Sequence, residues 1–376
     1  MTDIGVGVIA IDASAIPLRP GGAGRYVREL VAHLPAAGID PLVITRRGPG
    51  EMWPGNAGIL SIAPDQRPRR LLWEQIHLAD ALDRRVRVLH SPHYTMPRNL
   101  SRKNMASVVT IHDLTFFSRP KDHRLAKRHL FRLAIQRASR NADVLIAVSE
   151  STAEALIRLT HPLARIEVIA HGVDHDRFRP STDVFADREI VEGLGIDRPF
   201  VVHVGTIEPR KNLANLLRAY EILCARMKDP PALVFAGSAW PGAWEAIEGL
   251  VAAIANAHPS ARIVRLGLVD EDLLPALYRR ASVVAYPSFE EGFGLPAIEA
   301  LACGTPVVTS VGSVMEELAG EGVIAIDPHD PTSIADGIDC AIRGDGPAIR
   351  DRIRVAGRYR WETSAAAHAD VYRSVL

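Results

Sequence analysis

The sequence predicts an α/β protein with parallel sheets in two domains, and three observations carry that expectation. Apolar runs of strand length alternate with helical apolar patterns along the whole chain, the order in which crossover helices build parallel sheets. Several of these strands run into glycine-containing loops, and in open parallel sheets the loop after a strand's carboxyl end is where ligands sit. A chain of 376 residues is about two domains long.

At 47% hydrophobic and 23% charged, the composition is that of a globular protein with packed cores. Lys plus Arg and Asp plus Glu both number 44, which leaves no charge excess pointing to nucleic acid. Cys224, Cys303 and Cys340 are far apart and odd in number, so they suggest neither a disulfide framework nor a metal site and suit a reducing compartment. No apolar run reaches the ~18 residues of a membrane span, and the N-terminus lacks a signal-peptide pattern. The expectation is a cytoplasmic protein.

In chain order, residues 4–11 (IGVGVIAI) read as a first buried strand. A loop holding Pro20, Gly21, Gly22 and Gly24 follows, then a helix with Tyr26, Val27, Leu30, Val31 and Leu34 on one face. GGAGRYV lacks the third glycine of a dinucleotide fingerprint and the lysine of a P-loop, so neither NAD nor ATP is favoured. The glycines serve either a phosphate-facing loop or only a tight turn. Further strands are expected at residues 41–45, 86–90 and 107–111. The last runs into His112 and Asp113, where a neutral imidazole could donate to a sugar hydroxyl or phosphate. His90 is a weaker candidate for the same place.

Residues 119–140 are basic, with Arg119, Lys121, Arg124, Lys127, Arg128, Arg132, Arg137 and Arg140, and Leu125, Leu130, Leu133 and Ala134 supply an apolar face. Such a helix can rest peripherally on anionic lipid at the inner face of a membrane or present a solvated face. A strand at 144–148, a capping Ser149 and a strand at 166–170 close the first domain. The Pro- and charge-containing stretch from HGVDHDRFRPS (171–181) to Pro199 reads as a linker, and the boundary is placed at 172/173.

The second domain opens with a strand at 200–204 and then GTIEPRKN, which sets Gly205, Thr206, Arg210 and Lys211 ahead of a helix from Leu213. Two cations on a strand-end loop suit a departing diphosphate, whose charge grows as its bond breaks. Strand-and-glycine units recur at 233–237 and 262–267, the latter ending in Gly267. The chain then reaches ASVVAYPSFEEGFGLPAIEALACGTPVVT (281–309), a strand, a glycine loop, a helix beginning near Pro296 and a strand. Glu291 lies on the loop and Glu299 is expected in the helix's first turn. Between them Phe293, Gly294 and Leu295 stand ahead of a helix N-terminus, whose N–H groups favour oxygen-rich, anionic ligands.

The stretch EGFGLPAIE followed by ALACGTPVV closely resembles the signature of glycosyltransferase family 4, and TIHDLTFF, HGVDHDRFRPS and GTIEPRKN resemble further motifs of that family in the same order. The resemblance spans nearly the whole chain. It implies the GT-B fold, two facing doubly wound Rossmann-like domains with a C-terminal helix crossing back: residues 1–172 for the acceptor, 173–355 for the nucleotide sugar, and 356–376 for the returning helix. It implies a retaining transfer in which Glu291 touches the reacting sugar, Glu299 the ribose, and Arg210 with Lys211 the diphosphate. His112 would act from the first domain, Gly22 and Gly24 would face the donor phosphates, and the loop at Gly267 would flank the base. The arginine often found after the first glycine of GTIEPRKN is replaced by Thr206, with Arg210 as its substitute. GTIEPRKN and TIHDL look most like the mannosyltransferase-like branch, which makes GDP-mannose the preferred donor and a glycan, glycolipid or small-molecule hydroxyl the acceptor. No cofactor or metal is expected. Two rivals remain, an epimerase or phosphorylase on a similar fold and a non-enzymatic sugar-nucleotide-binding protein. The intact set of Glu291, Glu299, Arg210 and Lys211 weighs against both.

Overall fold

The structure, a computed structural model, describes residues 8–16, 21–46, 53–54, 57–100 and 104–376. Residues 4–7 of the first expected strand and Pro20 of the first loop lie outside that set. The chain forms two compact units, one of Met1–Gly172 with Tyr359–Leu376 and one of Val173–Arg358.

Unit 1 runs β1 (Ile9–Asp12), α1 (Gly22–His33), β2 (Leu42–Arg46), β3 (Gly58–Ala63), α2 (Arg67–Ile76), α3 (Leu78–Ala81), β4 (Val88–Ser91), β5 (Ala106–Ile111), α4 (Thr115–Ser118), α5 (Leu125–Asn141), β6 (Val144–Ala147), α6 (Glu150–Thr160) and β7 (Arg165–Val168). Among the described residues these strands make one parallel sheet in the order β3-β2-β1-β4-β5-β6-β7. Unit 2 runs α7 (Val184–Gly193), β8 (Phe200–Val204), α8 (Leu213–Arg226), β9 (Ala232–Ala236), α9 (Glu245–Ala257), β10 (Ile263–Gly267), α10 (Leu274–Arg280), β11 (Val283–Tyr286), α11 (Leu295–Ala302), β12 (Val307–Ser310), α12 (Val314–Ala319), β13 (Ile324–Ile326), α13 (Pro331–Arg343) and α14 (Ile349–Ala356). Its parallel sheet has the order β10-β9-β8-β11-β12-β13. The last helix, α15 (Trp361–Ser374), returns to unit 1 and packs on α1.

Strands buried on both faces read as continuous apolar runs, which is why they were visible in the sequence; β1, β4, β6, β8, β9, β11 and β12 are buried throughout. On α1 the expected stripe of Tyr26, Val27, Leu30 and Val31 is wholly buried, and each such side chain contributes roughly 1.5–3 kcal/mol of apolar burial. Ser149 caps α6 as expected, its hydroxyl accepting from the Thr152 N–H.

Three expectations are corrected, and the apolar face expected on α5 is found largely exposed. Gly22 and Gly24 are not in a loop but in the first turn of α1. The stretch read as a linker contains α7, which packs on α10 and is tied there by the Asp187–Arg279 ion pair at 2.5 Å. Glu299 lies in the second turn of α11. On α5 the docked side chains are Ile135, Ala138 and Ser139, while Leu125, Leu130 and Leu133 are 65%, 45% and 66% exposed. A 3.6-residue apolar pattern locates stripes on a helix but does not say which stripe meets the sheet.

Candidate active site

Each sheet reverses its strand order once, and in a doubly wound sheet ligands bind outside the carboxyl ends of the two strands at that switch point. In unit 2 those strands are β8 and β11. The loop after β8 carries Gly205, Thr206, Arg210 and Lys211, and the loop after β11 carries Glu291 to Gly294, with Leu295 opening α11. The two charge-bearing motifs therefore meet because their strands are neighbours.

They meet as an ion-paired group. Lys211 Nζ donates to Glu291 Oε1 at 2.5 Å and to the Tyr286 hydroxyl at 2.7 Å. Arg210 donates to Glu291 Oε2 at 2.7 Å and to the Glu290 carbonyl at 2.9 Å, and its other nitrogen pairs with Glu208 at 2.7 Å. The Glu291 side chain is only 7% exposed. Burial by itself would raise its carboxyl, but Arg210 and Lys211 outweigh burial and hold it down at about 2. Lys211 is pulled below its ordinary value by burial and then by Arg210, with Glu291 opposing. The carboxylate is thus ionised at neutral pH, and in this state the two cations neutralise it.

Several members of this group were not foreseen. Glu208 completes the Arg210 pair. Tyr286, the last residue of β11, takes the Lys211 proton donor and stacks at 5.7 Å on His203, whose Nδ1–H donates to the Ala285 carbonyl at 3.0 Å. Burial and then Lys211 bring His203 down to about 4, so it is neutral. Asn212 holds the two loops together by donating to the Pro287 carbonyl at 3.0 Å and the Pro328 carbonyl at 2.6 Å. His203 Nε2 and Ser288 Oγ are buried without a hydrogen-bond partner among the described residues, as expected of atoms at a ligand site. Single positions in apolar strands and turns gave no signal for them.

Glu299 is buried elsewhere on this edge and accepts from the Tyr278 hydroxyl at 3.0 Å. The two glutamates therefore have different partners. Phe293 and Leu295 are 4% and 7% exposed, and Gly294 has φ +85°, a conformation glycine adopts without strain. A Cβ there would also run into the Met315 sulfur. Gly205 and Gly267 end or follow their strands, with Gly205 N–H donating to Ala236 at 2.9 Å and Gly237 N–H to Gly267 at 2.7 Å. A Cβ on Gly237 would collide with the Gly205 carbonyl, so the three strand ends lie too close for a side chain there.

In unit 1, His112 follows β5 as expected and stands among rings, 5.2 Å from Tyr26, 5.6 Å from His93 and 5.6 Å from His171. Its Nε2–H is given to the Pro92 carbonyl at 2.8 Å, and burial lowers its pKa. A neutral ring with that bond made offers Nδ1 as an acceptor, so His112 would receive a hydroxyl proton rather than donate as expected. His90 is fully buried between Tyr372 and Thr110 and serves the interior. A Cβ on Gly22 would touch nothing within 4 Å among the described residues, so the space beside this helix start is open there.

Comparison with known proteins agrees with this arrangement. Residues 187–360 match the family described as glycosyl transferases group 1, and residues 20–177 match glycosyltransferase family 4. The chain is 32% identical to D-inositol 3-phosphate glycosyltransferase 2 of Catenulispora acidiphila across 94% of its own length and 90% of the relative. It is 28% identical to O-antigen chain mannosyltransferase B of Escherichia coli across 81% of its length and 77% of the relative. Among solved structures, sucrose-phosphate synthase from Thermosynechococcus elongatus superposes with a TM-score of 0.76 over 98% of both chains at 24% identity, a likeness of fold. With both sheets and the family's glutamate and Arg-Lys motifs in place, the chain belongs to glycosyltransferase family 4 and is a glycosyltransferase of the GT-B fold.

Proposed function

We propose that the enzyme is a retaining, metal-independent α-mannosyltransferase that moves mannose from GDP-mannose to a hydroxyl of a glycan or lipid-linked acceptor. The observation that carries the chemistry is the Glu291–Arg210–Lys211 group at the switch point of unit 2. As donor binds, its diphosphate takes over the two cations and Glu291 turns to the sugar. The bond from the anomeric carbon to the diphosphate breaks, the acceptor oxygen bonds to that carbon on the same face, and its proton passes to the leaving diphosphate oxygen. Arg210 and Lys211 stabilise the charge that grows there. Glu299 holds the ribose, and His112 accepts a hydrogen bond from a sugar hydroxyl. The E. coli relative's name supports mannose. The experiment is transfer from a panel of nucleotide sugars with and without EDTA. GDP-mannose should be the best donor and activity should survive chelation; a better rate with another donor, or loss restored by manganese, overturns the corresponding part.

A second reading, transfer to an inositol phosphate, is favoured by the longer match to the Catenulispora relative.

The lipid-linked acceptor is supported by α5, whose exposed Leu125, Leu130 and Leu133 lie alongside exposed Arg124 and Arg140. Apolar side chains beside cations suit the boundary of an anionic bilayer. Vesicles of anionic lipid should sediment the wild type at low salt but much less of a Leu130→Ser, Leu133→Ser variant, with the difference shrinking as the Debye length falls below ~10 Å. No sedimentation of the wild type overturns this part.

A further inference from the structure

The switch point of unit 1 lies between β1 and β4. Ile11 pairs with His90 there, so the next residues in register are Asp12 and Ser91, the last of each strand. Side chains alternate along a strand, and Ala10 and Leu89 belong to the core that includes Leu78 and Ala79 of α3. Asp12 and Ser91, two residues further on, therefore face the same side of the sheet. On that side α2 contributes Arg70 and Glu74, one turn apart and 7% and 2% exposed. Four polar side chains from three elements thus converge on the place in a doubly wound sheet where ligands bind.

One of the four, Ser91, lacks a hydrogen-bond partner among the described residues. Asp12 accepts from the Ser14 N–H at 3.0 Å, and Glu74 accepts from the Thr95 hydroxyl. Arg70 attracts both carboxyls. The Ser91 hydroxyl, in a residue 3% exposed, has no partner among the described residues. A buried hydroxyl left without a partner is destabilising unless something fills the place. The same feature marks the other switch point, where Ser288 after β11 is also unpartnered.

We propose that Asp12, Ser91, Arg70 and Glu74 form the acceptor-selecting site, and that it takes an uncharged, hydroxyl-rich sugar rather than a phosphorylated polyol, an inference that rests on the glycosyl-transfer reading above. Among the described residues of this group one guanidinium faces two carboxyls, which leaves no surplus positive charge there for a phosphate. Burial and then Asp12 push Glu74 up to about 8, against Thr95 and Arg70, so at neutral pH its carboxyl keeps a proton and can both give and accept hydrogen bonds. Sugar hydroxyls need that pairing.

The test uses the full-length enzyme, the nucleotide sugar that the donor panel selects, and two acceptors, methyl α-D-mannopyranoside and D-myo-inositol 3-phosphate. Ser91→Ala breaks no side-chain bond to a described residue, so its thermal midpoint should match or exceed that of the wild type. Its acceptor KM should rise about 2- to 10-fold, the range of one neutral hydrogen bond, with donor KM unmoved. Glu74→Gln, whose amide also gives and accepts, should move the same KM less than Ser91→Ala does and leave the neutral acceptor preferred. Should Glu74→Gln fail to fold, Ser91→Ala alone decides. An unchanged acceptor KM in folded Ser91→Ala, or wild-type preference for the inositol phosphate, overturns the proposal. Failure of the glycosyl-transfer reading looks different: the wild type then transfers to neither acceptor with any donor, and both fall together.

Discussion

The two switch points hold polar groups of different kinds. In unit 2 the groups are fully charged and answer one another, Glu291 against Arg210 and Lys211, and they come from two contiguous motifs. In unit 1 they are Asp12, Ser91, Arg70 and Glu74, one guanidinium against two buried carboxyls, and they come from separate elements. The first arrangement suits a step in which charge develops, because preorganised charge acts strongest where water is excluded. The second suits recognition of a ligand that stays neutral.

The largest expected effect tests the charged side of that contrast. Glu291→Gln removes the carboxylate that two cations hold ionised, and its kcat should fall by about 100-fold or more with donor KM little changed. Glu299, bonded to Tyr278 and away from the Arg-Lys pair, should behave differently. Glu299→Gln should raise donor KM by roughly 10- to 150-fold with kcat nearly kept, as loss of a charged hydrogen bond of ~1.5–3 kcal/mol in ground and transition states alike. Tyr278→Phe, which removes the hydroxyl that donates to Glu299, should shift the same constant by less. Steady-state kinetics of folded variants decide it. Equal kcat losses in all three, or near-normal turnover of Glu291→Gln, would remove the division of roles.

Legibility in the sequence follows the same contrast. Gly205 to Lys211 and Glu291 to Leu295 are runs of adjacent residues whose chemistry is readable before folding, and strand order then brings the runs together. Asp12 is one acid after an apolar strand, Ser91 one serine, and Arg70 with Glu74 are two of several polar residues in RPRRLLWEQI. Nothing local distinguishes them, because the site exists only through the β1–β4 register and the seating of α2. The strands were legible because both faces are buried; the docked stripe of α5 was not, because exposed leucines and buried Ile135 and Ala138 share one helical pattern.

The units should also part company in acid, through their histidines. In unit 1 the bonding between α15 and the sheet can be followed proton by proton. His368 Nδ1 lies 2.7 Å from the Ser364 carbonyl, which only accepts, so that nitrogen carries the hydrogen and Nε2 accepts from the Tyr26 hydroxyl at 2.8 Å. Tyr26 then accepts from Thr110 at 2.9 Å, Thr110 accepts from His90 Nε2–H at 2.8 Å, and His90 Nδ1 accepts from the Tyr372 hydroxyl at 2.7 Å. Every bond is made with both rings neutral, and a proton added to either ring has no acceptor. Burial brings His368 down to about 4 and His90 and His171 well below the usual range, and it lowers His112 too, against the Pro92 carbonyl and then Asp113. A lowered histidine leaves the unfolded chain binding more protons below its ordinary pKa of about 6.5, so this stability is present above that pH and is lost as pH falls towards 4. The slope approaches ~1.4 kcal/mol per pH unit for each such histidine. In unit 2, His203 alone among the described histidines is comparably lowered, and Glu291, held at about 2, adds no acid loss until below its ordinary pKa near 4.5. Hydrogen exchange at pH 7 and pH 5, corrected for intrinsic rates, should therefore show α15, β4 and β5 losing protection well before β8 and β11. Equal loss in the two units, or none in α15, would mean that the histidine chain does not hold the C-terminal helix in place.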